Sequence, residues 1–323
     1  MRALVTGCAG FIGSHLTDTL LEAGHSVVGV DCFNDNYGRA QKEGNLARAR
    51  DWNSFELLTF DLSQGNLAAV VSNCDTVYHL AAEPGVRSSW GNRFQRYAQN
   101  NLIATQCLLE ALRSSPQTRM VYASSSSVYG QVESLPTRED VTPRPLSPYG
   151  VTKLGAEHLC HLYFENHGLH TVSLRYFTAF GPRQRPDMAF NIFCRAALMG
   201  APITVYGDGS QTRDFTYVDD ITAATLAAGT LSTVELGQTY NVGGGLRTSV
   251  REVLDTIAEL ADRTLDIRNV AWEHGDVRDT GADTTRARRD LAFEPRVRLE
   301  EGLRAELDWI NALPSAREME LAL

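Results

Sequence analysis

Three glycines near the start of the chain constrain its fold more than any other feature. They lie in the segment Gly7-Cys8-Ala9-Gly10-Phe11-Ile12-Gly13, between an apolar strand pattern and a helical pattern. In such a unit Gly7 permits the tight turn, Gly10 lets the backbone approach a pyrophosphate, and Gly13 lets the helix pack on the strand. The helix start, with Phe11 and Ile12, offers N–H groups to the phosphates. The segment predicts a dinucleotide-binding strand–helix unit.

The first half of the chain alternates apolar strand patterns with helix-length patterns. Several of the strands are near-continuous apolar runs, which is typical of strands buried on both faces of a parallel sheet. The alternation predicts an α/β fold with a doubly wound parallel sheet. The predicted strands are Ala3–Thr6, Ser26–Asp31, Phe55–Phe60, Thr76–Leu80, Arg119–Ala123 and Thr171–Arg175, and the predicted helices are Phe11–Ala23, Arg93–Arg113 and Pro148–Asn166.

The pattern changes after Arg175, where Gly181, Pro182 and Pro186 interrupt regular structure. Shorter elements follow: helices over Ala189–Met199 and Val218–Leu231, and strands over Ile203–Tyr206 and Thr239–Val242. We predict two domains. Residues 1–175 and 215–245 form the cofactor-binding domain, and residues 176–214 and 246–323 form a smaller α/β domain that binds the substrate.

The charge and the cysteine content of the chain limit the kinds of partner that it can bind. The net charge of −9 argues against nucleic acid, whose phosphates call for a basic surface. The six cysteines are widely spaced with no CxxC pair and no histidine cluster, which indicates reduced thiols and no metal site. Neither a signal sequence nor a membrane-spanning run is evident, so we expect a cytoplasmic protein without a membrane partner.

Two acidic positions after strands point to the adenosine half of a dinucleotide. Asp31 ends the second strand, where a carboxylate hydrogen-bonds the ribose and repels a 2′-phosphate. This favours NAD over NADP. Asn34, three residues later, is also expected to bind the cofactor. Asp61 and Leu62 follow the third strand and are expected near the adenine edge. The alternatives are an ordinary turn aspartate at 31 and a helix cap at 61.

Tyr149 and Lys153 are four residues apart at the start of a predicted helix, so their side chains share one face. A tyrosine with a pKa of ~10 is a poor base, but a nearby ammonium and a positive nicotinamide ring lower that pKa. The preceding strand ends in Ser124-Ser125-Ser126-Ser127, and a serine beside the tyrosine shares the substrate's proton. We expect Tyr149, Lys153, Ser125 and Ser126 to be catalytic. The alternatives are a solvated helix face and loop-capping serines.

Together these segments resemble the extended short-chain dehydrogenase/reductase superfamily, in its branch of nucleotide-sugar epimerases and dehydratases. The resemblance covers nearly the whole chain and implies a Rossmann fold, NAD as cofactor and a UDP-sugar as substrate. Position 104 is Ala where the family usually has Gly. The matching stretches are Thr6–Gly13, Tyr78–Ala82, Asn101–Thr105, Ser124–Gly130, Tyr149–Lys153, Leu174–Phe177, Arg213–Asp220 and Gly275–Val277.

The resemblance also implies site residues. Leu80, Ala81 and Ala82 are expected to line the cofactor, Asn101 to brace the site, and Tyr176 to touch the nicotinamide end. Arg213 is expected to grip the diphosphate of the sugar nucleotide. The other substrate-binding residues implied in the second half are Thr204, Val205 and Tyr206, beside the uracil, and Asp276.

The serine strand distinguishes between reactions of this branch. Relatives that dehydrate have Asp and Glu where this chain has Ser126 and Ser127, and relatives that decarboxylate a uronic acid have Glu at the second position. Serines at both substrate-binding positions predict epimerisation. Tyr149 takes the proton of the C4 hydroxyl while hydride passes to NAD, and hydride returns to the opposite face of a 4-keto sugar.

The segment from Thr178 to Phe190, TAFGPRQRPDMAF, is similar to the branch that epimerises UDP-glucuronic acid at C4. The 4-keto form of that sugar is a β-keto acid, which loses CO₂ readily. Arg185 with Thr178 is expected to hold the carboxylate against this loss. Ala189, Phe190 and a second cation, Arg87, are also assigned to the substrate.

Other readings stay open. Arg185 could form a loop ion pair with Asp187, with Arg183 beside it on the surface. The alternative functions are a UDP-glucose/UDP-galactose 4-epimerase, a UDP-glucuronate decarboxylase and a non-enzymatic NAD-binding regulator. The resemblance also implies a homodimer through the helices within Arg93–Arg113 and Ser147–Asn166.

Overall fold

Seven parallel strands form the central sheet of the computed structural model, which describes residues 1–271 and 277–313. Their order is β10-β6-β5-β4-β1-β2-β3, so the chain winds outward in both directions from the middle. The predicted doubly wound α/β fold is confirmed. The strands are β1 (Arg2–Thr6), β2 (Ser26–Asp31), β3 (Phe55–Thr59), β4 (Thr76–His79), β5 (Arg119–Ser125), β6 (Thr171–Tyr176) and β10 (Thr239–Val242).

Helices cover both faces of this sheet because its inner strands are apolar on both sides. Side chains of β1 alternate between two hydrophobic clusters: Ala3 and Val5 lie in one, and Leu4 lies in the other. The helices are α1 (Phe11–Glu22), α2 (Arg39–Asn45), α3 (Leu67–Val71), α4 (Phe94–Tyr97), α5 (Ala104–Leu112), α6 (Pro148–His167), α7 (Ala189–Met199), α8 (Val218–Thr230), α9 (Val250–Ala261), α10 (Thr285–Leu291) and α11 (Leu299–Ala312). None of these helices is long and apolar enough to cross a membrane.

The helix predicted over Arg93–Arg113 is interrupted. A π-helical stretch, Ala98–Ile103, separates α4 from α5. Its Asn101 is buried, and the side-chain amide bonds the backbone N–H and C=O of Glu83 as well as the hydroxyl of Thr152. These distant partners hold a wider turn where the local pattern indicates a regular helix.

Two small sheets lie beyond the central one. The strands β7 (Thr178–Phe180), β9 (Thr212–Tyr217) and β11 (Arg247–Ser249) form the first, and β8 (Ile203–Tyr206) pairs with β12 (Ile267–Val270) in the second. Between β9 and β11 in the sequence, the chain returns to the central sheet, where β10 pairs with β6. The two-domain division remains a prediction.

Glu306 on α11 is fully buried and accepts a hydrogen bond of 3.1 Å from the backbone N–H of Gly181. Burial raises its pKa from 4.5 to about 8. Because the folded chain binds this proton more tightly than the unfolded chain, the associated stability is present below pH ~4.5 and is lost as the pH rises to ~8.

We therefore expect Glu306→Gln to remove this loss. The unfolding free energy of the parent minus that of the variant should fall from pH 5 to 8, by at most about 1.4 kcal/mol per pH unit, and level off above. Urea denaturation at several pH values measures this difference. A difference that stays constant across the range would contradict the prediction.

Candidate active site

The glycine loop joins β1 to α1 by a close backbone approach. Gly7 has a φ of +72°, and its carbonyl accepts a 3.0 Å hydrogen bond from the N–H of Gly10. A Cβ placed on Gly13 would lie 2.1 Å from the Gly7 carbonyl oxygen, so no side chain fits there. Gly10 caps α1 without a side-chain hydrogen bond, which leaves the first turn open to a ligand phosphate.

A cleft that is partly open to solvent begins at this loop and runs over the carboxyl ends of β1, β2, β4, β5 and β6. It brings together most of the residues that the sequence assigns to the cofactor and the reaction. Those in its wall are Gly7, Gly10, Phe11, Ile12, Gly13, Asp31, Asn34, Asp61, Leu62, Leu80, Ala81, Ala82, Tyr149, Lys153, Tyr176 and Arg185.

Asp31 is oriented by backbone amides at the end of β2. Its two carboxylate oxygens accept hydrogen bonds from the N–H of Ala9, at 3.2 Å, and of Phe33, at 2.8 Å. Asp61 caps the turn after β3 through the N–H and hydroxyl of Ser63, both at 2.8 Å. Asp61 lines the cleft as expected and is not the helix cap named as its alternative, because Asn66 caps α3.

Tyr37 and Lys42 are among the residues of the cleft wall that the sequence analysis missed. The ammonium of the buried Lys42 donates to the backbone and side-chain oxygens of Asn34. These residues belong to a polar segment after β2 with no apolar periodicity, so only the proximity of Asn34 and Asp31 could have indicated them. Asn101, by contrast, does not line the cleft but braces its wall from behind.

The capped start of α6 positions Tyr149. Ser147 accepts a hydrogen bond from the N–H of Gly150, and Pro148 occupies the first turn. Burial raises the pKa of Tyr149, whereas a hydrogen bond with Ser125 and the charge of Arg185 lower it. Burial outweighs these two groups, so the Tyr149 pKa is raised overall, and the lowering that the sequence analysis expected from Lys153 is not found in this structure.

Lys153 is buried one turn further along α6, with its ammonium 4.8 Å from the ring centroid of Tyr122. Burial lowers its pKa to about 7, and the charges of Cys160 and Glu157 oppose this effect. Tyr149 and Lys153 both face the cleft, as their spacing predicts.

The four serines at the end of β5 and in the turn after it differ in their contacts. Ser124 lines the cleft and donates to the Glu157 carboxylate at 2.8 Å. The Ser125 hydroxyl accepts from the N–H of Ser127 at 3.1 Å, at the start of a 3₁₀ turn, Ser126–Val128. Ser125 therefore caps a loop, as its alternative reading states, while also bonding Tyr149.

The two arginines after β7 take different directions. Arg185 lines the cleft and forms a two-pronged ion pair with Asp187, at 3.0 Å for each contact. The expected ion pair with Asp187 is thus present together with the expected place in the cleft. Arg183 is not the surface neighbour considered above: it has only 19% of its side chain exposed and pairs with Asp18 of α1 at 2.7 Å.

The remaining substrate assignments are dispersed. Thr178 lies in β7, paired with Phe215, and Ala189 and Phe190 begin α7, with the Phe190 ring buried against Phe215. Thr204 and Val205 lie in β8. Asp276 lies outside the described residues.

Two arginines assigned to the substrate lie beside or within the strands β8 and β9. The Arg87 guanidinium lies 3.9 Å from the ring centroid of Tyr206 in β8. Arg213 on β9 donates to the backbone carbonyls of Thr212, at 3.0 Å, and Arg278, at 2.7 Å. Within the described ranges, no group of three or more His, Cys, Asp or Glu side chains is placed to hold a metal ion.

The chain is similar to a known protein family and to several known proteins. Residues 4–305 match the GDP-mannose 4,6 dehydratase family. The chain is 41% identical to an uncharacterized UDP-glucose epimerase of Bacillus subtilis, YtcB, over 97% of this chain and 99% of that protein. It is 37% identical to a UDP-glucuronate 4-epimerase of Thermodesulfobacterium geofontis, over 95% of each.

A similar solved structure is the UDP-glucuronic acid 4-epimerase of Bacillus cereus in complex with UDP-glucuronic acid and NAD. It superimposes with a TM-score of 0.95 and 42% identity, over 97% of this chain and 100% of that one.

The close contact at Gly13 generates a prediction. We expect Gly13→Ala to force α1 away from β1, at a cost of about 1–3 kcal/mol, and to weaken NAD binding roughly ten- to hundredfold. The control is Gly44→Ala in α2, where an added Cβ meets no atom within 4 Å. Calorimetric titration with NAD measures the affinity of each variant. Equal NAD affinities in Gly13→Ala and Gly44→Ala would contradict the role assigned to this contact.

Proposed function

The chain belongs to the GDP-mannose 4,6 dehydratase family of extended short-chain dehydrogenases/reductases, and we propose that it is an NAD-dependent UDP-glucuronic acid 4-epimerase. It interconverts UDP-glucuronate and UDP-galacturonate. The observation that carries the substrate choice is Arg185, which lines the same cleft as Tyr149 and whose charge opposes the rise that burial causes in the Tyr149 pKa. The similar B. cereus enzyme, with UDP-glucuronic acid and NAD bound, supports it.

The cleft fits a dinucleotide along its length. The open turn between Gly7 and Gly13 would hold the pyrophosphate, and Asp31 would accept the ribose hydroxyls. Leu80, Ala81, Ala82 and Tyr176 would line the nicotinamide half. Bound there, NAD would supply the acceptor for the hydride of C4 and the donor for its return to the opposite face of the sugar.

Tyr149 is the base and acid of the reaction. It takes the proton of the C4 hydroxyl and gives it back, and Ser125 keeps the phenol oriented through their hydrogen bond. Lys153 holds the ribose hydroxyls beside it. Ser126 and Ser127, in the 3₁₀ turn after β5, carry no carboxylate, so that turn offers no acid or base for a dehydration.

Arg185 holds the substrate carboxylate together with Thr178. Because Asp187 occupies the N–H of Nε and one N–H of Nη2, both N–H groups of Nη1 and the second one of Nη2 are left to meet a second carboxylate. A carboxylate held in one orientation keeps the C5–C6 bond out of line with the C4 carbonyl π system, which suppresses loss of CO₂. An arginine left without that carboxylate disfavours neutral sugars.

The second candidate is a UDP-glucose/UDP-galactose 4-epimerase. The name of the B. subtilis relative and the ion pair of Arg185 with Asp187, which offsets the arginine's charge, favour it. In both cases Arg213 is assigned to the diphosphate, and β8 with Arg87 to the uracil side. Residues 1–175 with 215–245 are assigned to NAD, and residues 176–214 with 246–323 to the UDP-sugar.

The first test is to incubate the purified protein with UDP-glucuronate and follow the sugar by proton NMR. We expect a galacto-configured uronate without pentose. Tyr149→Phe should lower turnover at least a thousandfold while NAD binding persists, because the base is lost and the fold is kept.

Other products would identify the alternatives. Pentose as the main product indicates the decarboxylase, and conversion of UDP-glucose but not of the uronate indicates the neutral-sugar epimerase. An inert parent that still binds NAD indicates a regulator. Full activity in Tyr149→Phe would overturn the mechanism.

We also propose a cytoplasmic homodimer. The helical stretch around α5 packs beside α6, and together they present exposed apolar side chains. Ile103, Val151 and Leu162 each have about half of their area exposed: 46%, 50% and 52%. A second copy that packs these two helices against its own would cover them as a four-helix bundle.

Charges on this face should prevent dimer formation. We expect the double variant Ile103→Glu, Leu162→Glu to sediment as a monomer while the parent sediments as a dimer, because the buried carboxylates would lack partners. The control is Met199→Glu on α7, a residue that is 79% exposed on another helix. A dimeric double variant, or a monomeric parent, would contradict the proposal.

A further inference from the structure

Arg183 adopts an unusual backbone conformation next to the substrate arginine. Its φ is +65°, in the left-handed region that costs a residue with a side chain about 1–2 kcal/mol. This conformation directs the guanidinium away from the cleft to Asp18 of α1, with 8% of the aspartate side chain exposed. Two residues later the chain directs Arg185 into the cleft wall.

Residues 181–185, which we call the arginine segment, are held by α1 at a second point. His15 lies one turn before Asp18 on the same face of the helix, and its Nε2 donates to the Pro182 carbonyl at 2.9 Å. Because α1 begins at the glycine loop, these two contacts connect the arginine segment to the cradle of the cofactor.

Buried polar groups hold the rest of the segment. The N–H of Gly181 donates to Glu306 at 3.1 Å. Gln184, only 2% exposed, donates to the Ala179 carbonyl at 3.1 Å and accepts from the N–H of Asn191 at 2.9 Å. Of the long side chains at positions 183 to 185, only that of Arg185 reaches the cleft.

The ion pair between Arg183 and Asp18 is not explained by a gain in folding stability. Within the described chain, Oδ1 of Asp18 and Nη1 of Arg183 are buried without a hydrogen-bond partner. Each such atom costs about 1–3 kcal/mol, and a buried ion pair is weak evidence of net stabilisation. What the single 2.7 Å contact does supply is a fixed direction for the segment.

We propose that Arg183 and Asp18 are positioning residues for the substrate carboxylate, because their ion pair fixes the arginine segment so that Arg185 faces the cleft. This inference rests on the proposed function. With Arg185 displaced, the ring of the 4-keto sugar would be free to pucker so that its C5–C6 bond stands perpendicular to the C4 carbonyl. The C5–C6 bond then breaks, its electron pair forms the C4–C5 double bond of an enolate, CO₂ leaves, and C5 takes a proton from water to give a 4-keto pentose.

The experiment compares the parent with Asp18→Asn and Arg183→Asn. Both variants remove one charge of the pair, and asparagine tolerates the left-handed backbone at position 183. The matched control is Glu22→Gln at the end of the same helix α1, a change that removes an exposed ion pair between Glu22 and Arg48. The readouts are the pentose fraction and KM with UDP-glucuronate, NAD affinity, and hydrogen exchange of the peptide that covers residues 181–188.

We expect both variants to raise the pentose fraction at least tenfold and KM several-fold, to increase exchange in the 181–188 peptide, and to leave NAD affinity unchanged. Glu22→Gln should behave as the parent. Unchanged pentose, KM and exchange in both variants would overturn the inference, and so would a lost NAD affinity, which indicates general damage to α1.

The exchange measurement separates this inference from the proposed function. If the parent does not convert UDP-glucuronate but exchange still rises only in the two variants, the positioning of the segment stands and the substrate assignment fails. If the parent epimerises the uronate and neither exchange nor product changes in the variants, the substrate assignment stands and the positioning fails.

Discussion

The contact between Gly13 and the Gly7 carbonyl brings α1 against the end of β1, and the other parts of the site take their places from it. Only a hydrogen at the Cα of Gly13 allows this distance, since a Cβ would lie 2.1 Å from the carbonyl oxygen. The same helix presents its open first turn to the cleft and, one and two turns later, His15 and Asp18 to the arginine segment. One backbone approach therefore aligns the cofactor cradle with the segment that carries Arg185.

A buried network holds the opposite wall of the cleft. Glu157, one turn after Lys153 on α6, pairs with Arg175 of β6 and accepts from Ser124 of β5. Arg175 also donates to the Tyr129 hydroxyl at 2.8 Å, and that hydroxyl donates to Asn241 of β10 at 2.6 Å. Because such groups are costly to bury unpaired, the network ties the helix of Tyr149 to three strands in a single arrangement.

The periodic elements could be predicted from local sequence, since apolar runs and helical spacing depend on neighbours in the chain. The strands of the central sheet, the glycine loop, and the facing of Tyr149 and Lys153 into one cleft all belong to this class. The interruption of the helix at Asn101 could not be predicted, because its partners Glu83 and Thr152 are 18 and 51 residues away. The effect of Arg185 on the Tyr149 pKa was also missed, because Arg185 reaches Tyr149 only through the fold.

The sequence by itself determined the doubly wound sheet, the dinucleotide cradle and the reactive pair, because short-range spacing specifies each of them. It also supplied two arginines, at 183 and 185, and only the resemblance to uronate epimerases singled out Arg185 for the substrate. Only the tertiary structure decided that Arg183 turns to Asp18, a residue 165 positions earlier, while Arg185 faces the cleft. The physical reason is that the direction of a loop side chain is set by the buried charges that it meets, and these come from elements remote in the chain.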